Sequence, residues 1–282
     1  MDANTKMTKT PTRNLQTTQE IGDGVVLVKA KGAATITLDR PESGNAINLE
    51  LARGLMRALQ SCERDGDVRA IVIRGRGRLF CSGGDLVAIR NQGSDAPAYV
   101  RQLLSYLHEA LNLIATVRAP VVAAVNGTAA GAGLALACAC DLTVAIDSAR
   151  FIMAYTKVGL TPDGSSTWFL PRIIGLKRTL ELALDNRAVS AAEARDWGLV
   201  NDVLTDKEFD PHVDALVARL AQGPTNAFGQ AKRLIRTSHL QTLGDQMEAE
   251  ADALCAALTG AEAVSGLESF AVARQKRAES QT

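Results

Sequence analysis

The chain has 282 residues, 46% of them hydrophobic and 22% charged, and its 31 basic side chains are balanced by 31 acidic ones. These are the values of a globular protein able to bury a sizeable core, as one large domain with an appendage or as two small ones. Zero net charge gives no electrostatic basis for a nucleic-acid or anionic-membrane partner, and five scattered cysteines without CxxC spacing argue against a disulfide framework or a zinc site.

Residues 1–20, MDANTKMTKTPTRNLQTTQE, are polar and threonine-rich without the apolar run of a secretory leader, so we expect a mobile arm there and a cytoplasmic home for the chain. Alternation at Val25–Val28 and Ala34–Leu38, with Gly32 between, predicts paired strands. Asn48 is placed to cap an amphipathic helix carrying Leu51, Leu55, Met56 and Leu59. AIVI (70–73) reads as a buried strand and leads into the loop RGRGRLFCSGGD (74–85). A long helix is expected from about Asp95 to Val117, with Leu103, Leu104, Leu107, Leu111 and Ile114 on one side. Pro120 ends that region before the strand VVAAV (121–125). The run from Ala119 to Cys140 is long and apolar enough to suggest a membrane span. However, Asn126, Gly127, Thr128, Gly131 and Gly133 divide it into a strand, a glycine turn and a buried helix. LTVAI (142–146) is a further strand, and FIMAY (151–155) can pair nearby. From about residue 176 the pattern is helical. Ser190 and Glu193 make a capping-box signature, LVNDVL (199–204) gives one short strand, and helices are expected over 206–221, 224–237, 243–258 and 261–277. Strands alternating with helices, then a helical third, predict an α/β core over 21–205 and a helical region over 206–282.

Two of these strands end in glycine turns that lead into helices, AIVIRG…CSGGDL and VVAAVNGTAAGAGLAL. Glycine lets the backbone approach a ligand, and a helix start aims unsatisfied N–H groups at whatever lies before it. Two such turns converging would give two donors to one oxygen, an oxyanion hole. The plainer reading makes each a packing turn, and only their pairing favours the functional one. GAGLAL lacks the third glycine of a dinucleotide-binding turn, and its glycines begin late. Three histidines, none in a metal-ligand spacing, build no metal cluster, and no GxSxG motif is present. Cys81 before a helix start, with His108, raises a thiol hydrolase as an alternative class, against the commoner buried cysteine.

The blocks RPESGNAINLEL (40–51), FCSGGDL (80–86), AVNGTAAGAGLALACACDL (124–142), GLTPDGSSTWFLPRIIG (159–175) and DWGLVNDV (196–203) resemble the enoyl-CoA hydratase/isomerase, or crotonase, superfamily over about residues 22–277. The resemblance implies a spiral of ββα units of the ClpP-like kind, a helical C-terminal trimerisation region, and an acyl-CoA substrate with no separate cofactor. It also implies a homotrimer or a dimer of trimers, with Lys232 and Phe228 within reach of a neighbour's coenzyme A. By position, the oxyanion donors would be the N–H groups of Gly84 and Ala132, where many relatives carry glycine in place of Ala132. Asn45, Ala46, Ser82, Asp85 and Leu86 would lie along the coenzyme A crevice. Family hydratases use two glutamates, and the matching positions here are Ala135 and Tyr155, of which Tyr155 is expected to bind substrate. That departure puts paired-glutamate hydration in doubt. A carboxylate remains at Asp163. An aspartate before Gly-Ser-Ser is a natural helix N-cap, but in the resemblance it is the acid/base of certain isomerases, the phenylacetate-pathway ones looking closest, and the nucleophile of 4-chlorobenzoyl-CoA dehalogenases. His108 matches the base of those dehalogenases, yet equally suits a packing or surface histidine. The sequence therefore favours double-bond isomerisation through Asp163, with hydration or Asp163/His108 dehalogenation as alternatives.

Overall fold

The computed structural model describes residues 17–22 and 24–279. The chain opens with an antiparallel meander of β1 (Thr17–Gly22), β2 (Val25–Ala30) and β3 (Ala33–Leu38), in which Val25 lies opposite Leu38 and Ala30 opposite Ala33. The last four residues of the expected arm are thus part of a strand, and residues 1–16 lie outside the described ones. The helix α1 (Leu49–Arg64) returns the chain to β4 (Ala70–Gly75), parallel to β3. After the short α2 (Leu86–Arg90) and the long α3 (Ala96–Thr116), β5 (Val121–Val125) pairs parallel to β4. The two-residue β6 (Ala129–Ala130), α4 (Ala132–Ala139), β7 (Leu142–Ile146) and β8 (Arg150–Ile152) follow. Next come α5 (Ser166–Ile173), α6 (Leu176–Asp185), β9 (Val189–Ser190), α7 (Ala191–Asp196) and β10 (Asp202–Leu204). The helices α8 (Asp206–Gln222), α9 (Thr225–Thr237), α10 (Leu243–Leu258) and α11 (Ala261–Glu279) complete the described chain.

The main sheet has the order β1-β2-β3-β4-β5-β7-β10. A second, smaller layer is built from fragments: Ile47 bridges Gly84, Cys81 bridges Ala129, β6 pairs with β8, and β8 with β9. Each turn of the chain therefore runs from a main-sheet strand, through the second layer, into a helix, which is the expected ββα spiral. Every residue of β5 and five of the six in β4 are buried, as befits parallel strands covered on both faces. Asn48 caps α1 by accepting from the Leu51 N–H at 2.9 Å, and Leu51, Leu55, Ala58 and Leu59 face the core, with α1 packed on α3. All eight residues of α4 are buried, so its apolar character all round reflects the core. No helix among the described residues is long and apolar enough to cross a membrane.

Polar contacts tie the helical third back to the sheet. Arg69 donates to the Ala221 and Gly223 carbonyls at the end of α8. Asp141, at the start of β7, accepts from Lys232 at 2.7 Å and from Arg236 at 2.9 Å, both on α9. Lys232 is thereby buried in an ion pair and is not free for a neighbour's ligand. Beyond α9 the pattern changes: α10 buries no residue, and Leu243, Met247, Leu254 and Leu258 stand exposed, as do Leu267 and Phe270 on α11.

Candidate active site

Both glycine turns are held rigidly before they reach the site. The loop after β4 folds back over its own strand, because Gly75 leaves room where a Cβ would lie 2.3 Å from the Leu79 carbonyl oxygen. Asn45, fully buried and left-handed at φ 57°, ties this loop down. Its Nδ2 donates to the carbonyls of Arg76, Leu79 and Phe80 at 2.8–3.2 Å, and its Oδ1 accepts from the Arg40 N–H. Asn126, from the second turn, reaches into the first: its Oδ1 accepts from the Gly75 N–H at 3.0 Å and its Nδ2 donates to the Gly77 carbonyl at 2.9 Å. Around Gly84, the Ile47 N–H donates to the Gly83 carbonyl at 2.7 Å and the Asp85 N–H to the Ile47 carbonyl at 2.9 Å. Asp85 then caps α2 through the Ala88 N–H and pairs with Arg40 at 3.1 Å.

The two turns touch at Gly83, whose φ is 104°; a Cβ there would sit 2.9 Å from the Ala130 carbonyl oxygen and 3.6 Å from the Ala132 nitrogen. Ala132 is the first residue of α4, where an N–H has no partner within the helix. Among the described residues neither the Gly84 N–H nor the Ala132 N–H makes a hydrogen bond, and both residues line one cavity of about 280 Å³. Leu86, Leu103, Leu104, Leu107, Val158 and Leu160 give this cavity apolar walls, and Tyr155 and Asp163 stand in it.

Asp163 does not act as a helix cap. The residue at the start of α5 is Ser165, and Asp163 gives only its backbone carbonyl to the Ser166 N–H and hydroxyl. Its carboxylate accepts a 2.5 Å hydrogen bond from the Tyr155 hydroxyl instead. Burial, and then the neighbouring Asp163 charge, push the Tyr155 phenol well above its usual value, so it stays protonated and remains the donor. The next residue, Gly164, packs over α4, with its Cβ position 3.1 Å from the Ala135 methyl. A pair of amide donors in a largely apolar cavity can hold an oxygen that gains negative charge, and a carboxylate beside them can take up a proton.

Of the expected site residues, Gly84, Ala132, Asp163, Ser82, Leu86 and Tyr155 come together at this cavity. Asn45, Ala46 and Asp85 do not line it: the Asn45 amide is spent on the loop, the Ala46 carbonyl is taken by Arg40, and Asp85 serves Arg40 and α2. Ile47, two residues further on, reaches the cavity in their place. His108 is also elsewhere. Successive helix residues point about 100° apart, so Leu107 faces the cavity while His108 is exposed and lines a separate space of about 860 Å³ beside Trp168, Ser165 and Arg233. Cys81 is fully buried and its thiol is pushed up to about 12 by that burial, which leaves no activated thiol to pair with His108. The cavity walls from α3, and Val158 and Leu160, are the parts that the residue pattern did not reveal. Leu103 and Leu107 have the helical spacing of core residues, and nothing in that spacing separates a cavity wall from a packed face.

Comparison with known proteins agrees with this architecture. A profile of the enoyl-CoA hydratase/isomerase family matches residues 29–281. The chain is 38% identical over 224 residues to a 1,2-epoxyphenylacetyl-CoA isomerase of Escherichia coli, covering 79% of this chain and 85% of that protein. It is 37% identical over 220 residues to 4-chlorobenzoyl coenzyme A dehalogenase-2 of an Arthrobacter species, covering 78% and 80%. Among solved structures, an enoyl-CoA hydratase from Polaromonas sp. JS666 superposes with a TM-score of 0.83 at 33% identity, covering 87% of this chain and 96% of that one. This chain therefore belongs to the enoyl-CoA hydratase/isomerase family and has its crotonase fold.

Proposed function

We propose that the protein moves a double bond within an acyl-CoA thioester, with Asp163 as the acid/base. The observation that carries this reading is the Asp163 carboxylate, hydrogen-bonded by Tyr155, inside the apolar cavity that also holds the unpartnered N–H groups of Gly84 and Ala132. The thioester oxygen accepts from both amides, which stabilises the enolate formed when a proton leaves the α- or γ-carbon. Asp163 takes that proton and returns it to the other carbon, so atoms and charge balance without water or a separate cofactor. Ala135 and Tyr155, at the positions where family hydratases carry glutamates, leave no second carboxylate in the cavity lining to activate water. The likeness to the Arthrobacter dehalogenase supports a second reading, attack of Asp163 on a halogenated aryl carbon. That route also needs a base for hydrolysis of the aryl ester, and His108 faces a different cavity. The exposed apolar faces of α10 and α11 support assembly into a homotrimer or a dimer of trimers, which sedimentation would measure.

The test is a panel of 2-enoyl-, 3-enoyl- and 4-chlorobenzoyl-CoA, followed by mass and double-bond position. An unchanged mass with a moved double bond is the expected result. Gain of one water marks a hydratase, and loss of chloride marks a dehalogenase; either would overturn the isomerase reading.

A further inference from the structure

Tyr155 stands where the family's hydratases carry a glutamate, and its hydroxyl is turned onto Asp163. The hydroxyl donates to Asp163 Oδ1 at 2.5 Å, and the ring is packed against the second glycine turn, with the Gly131 Cβ position 3.7 Å from Tyr155 Cζ. The phenol therefore touches both halves of the site, the carboxylate and the turn that presents the Ala132 amide. Resting on the reading of Asp163 as the base, we infer that Tyr155 is a positioning residue: it holds one carboxylate oxygen fixed against the glycine turn, so that the other oxygen is the one that exchanges the proton.

The surroundings leave Tyr155 as the group able to do this. Tyr155 and Asp163 are the titratable side chains in the cavity lining. The residues that pack around Gly164 beside them are Ala135 from α4 and Leu107 and Leu111 from α3. The charged or titratable side chains carried nearby, His108 and Glu109 on α3, Lys157 ahead of the loop and Arg172 on α5, are on exposed faces. Cys81, close enough to be felt by the phenol, is buried and stays a neutral thiol. A donor fixed on one oxygen holds the carboxylate against rotation, so removing this one frees the group to turn.

The experiment compares wild type, Tyr155→Phe, Asp163→Asn and the double variant. Phenylalanine keeps the ring packed on Gly131 and removes only the hydroxyl. With 3-enoyl-CoA as the probe, Tyr155→Phe should lower kcat by roughly 10- to 100-fold, the loss expected for one charge-assisted hydrogen bond. KM should change little. The double variant should be no slower than Asp163→Asn alone, because the phenol acts through the carboxylate. A fall in the double variant below Asp163→Asn, or a loss in Tyr155→Phe carried by KM and not by kcat, would overturn the inference. The ligand-free protein gives a readout independent of substrate: in a crystal structure of Tyr155→Phe the Asp163 carboxylate should be rotated or spread over several positions, where wild type shows one. A carboxylate unmoved in Tyr155→Phe sinks the positioning role even if isomerisation is found, and a displaced one sustains it even if the substrate panel points to another reaction.

Discussion

Replacing Asp163 by asparagine separates the chemistry of this cavity from its shape. The amide retains an oxygen in the Oδ1 position, so the hydroxyl of Tyr155 keeps an acceptor at the 2.5 Å site. The backbone carbonyl of Asp163 still serves Ser166, which leaves the entry to α5 intact. Gly84 and Ala132 are untouched, and the side-chain volume is nearly unchanged. What disappears is the basic oxygen. A positioned general base contributes about 10²- to 10⁴-fold, which at about 1.4 kcal/mol per tenfold is roughly 3–5 kcal/mol in the barrier. The expected outcome is a fall in kcat of that size with the dissociation constant of a saturated acyl-CoA unchanged, because the thioester oxygen keeps both of its proposed donors. Turnover is read from the absorbance of the conjugated thioester and binding from calorimetry. Retention of activity to within about tenfold would place the proton transfer on another group and refute the reasoning.

Three further outcomes follow from contacts described above. Asn45→Ala strips the loop carbonyls of Arg76, Leu79 and Phe80 of their donor and puts a Cβ residue without local hydrogen bonding at φ 57°, so urea unfolding should show a loss of about 3–5 kcal/mol; a loss below about 1 kcal/mol would mean the loop is held by other contacts. His108→Ala should leave turnover within about twofold, whereas a drop of about a hundredfold would restore the Asp163/His108 pair. The Lys29 ammonium, 2.8 Å from Asp65, holds that carboxyl below the usual carboxylate range. The folded protein then releases this proton more readily than the unfolded chain, so the contribution is present above the ordinary carboxylate range and is lost as pH falls through the folded value. Lys29→Met should flatten that part of the acid dependence of the denaturant midpoint, and an unaltered slope would contradict it.

How far the residue pattern carried the reading depended on whether a feature was local. Asn48 caps α1 as expected, and the helix expected over 243–258 has those limits as α10, because caps and periodicity are properties of adjacent residues. Ser190 accepts from the Glu193 N–H, but Glu193 turns to Arg187, so only half of that capping box forms; the complete one lies at Thr205 and Glu208. The two-residue strands β6 and β9 are too short to leave any alternation. A helix start is expected after Asp163, and α5 does begin there, but its cap position is Ser165. Within the site, the glycine turns and Asp163 meet at one cavity, while Asn45 lies beside it under the first loop. A buried amide that satisfies three carbonyls and one that greets a ligand look the same in a sequence, since the difference lies in partners more than thirty positions away. The same holds for His108, whose neighbour Leu107 took the inward direction.

The cross-tie between the loops has a bearing on how the two amides behave over time. Asn126 grips Gly75 and Gly77 while Asn45 grips the stretch from Arg76 to Phe80, so the first turn is anchored partly by a residue of the second. Neither amide can swing without breaking bonds that were made when the chain folded. In the role proposed for them, their dipoles are oriented in advance, and a bound carbonyl would meet a field that needs no rearrangement. Loosening either asparagine should therefore blur the aim of both donors together, a coupling between turns separated by some forty residues of chain.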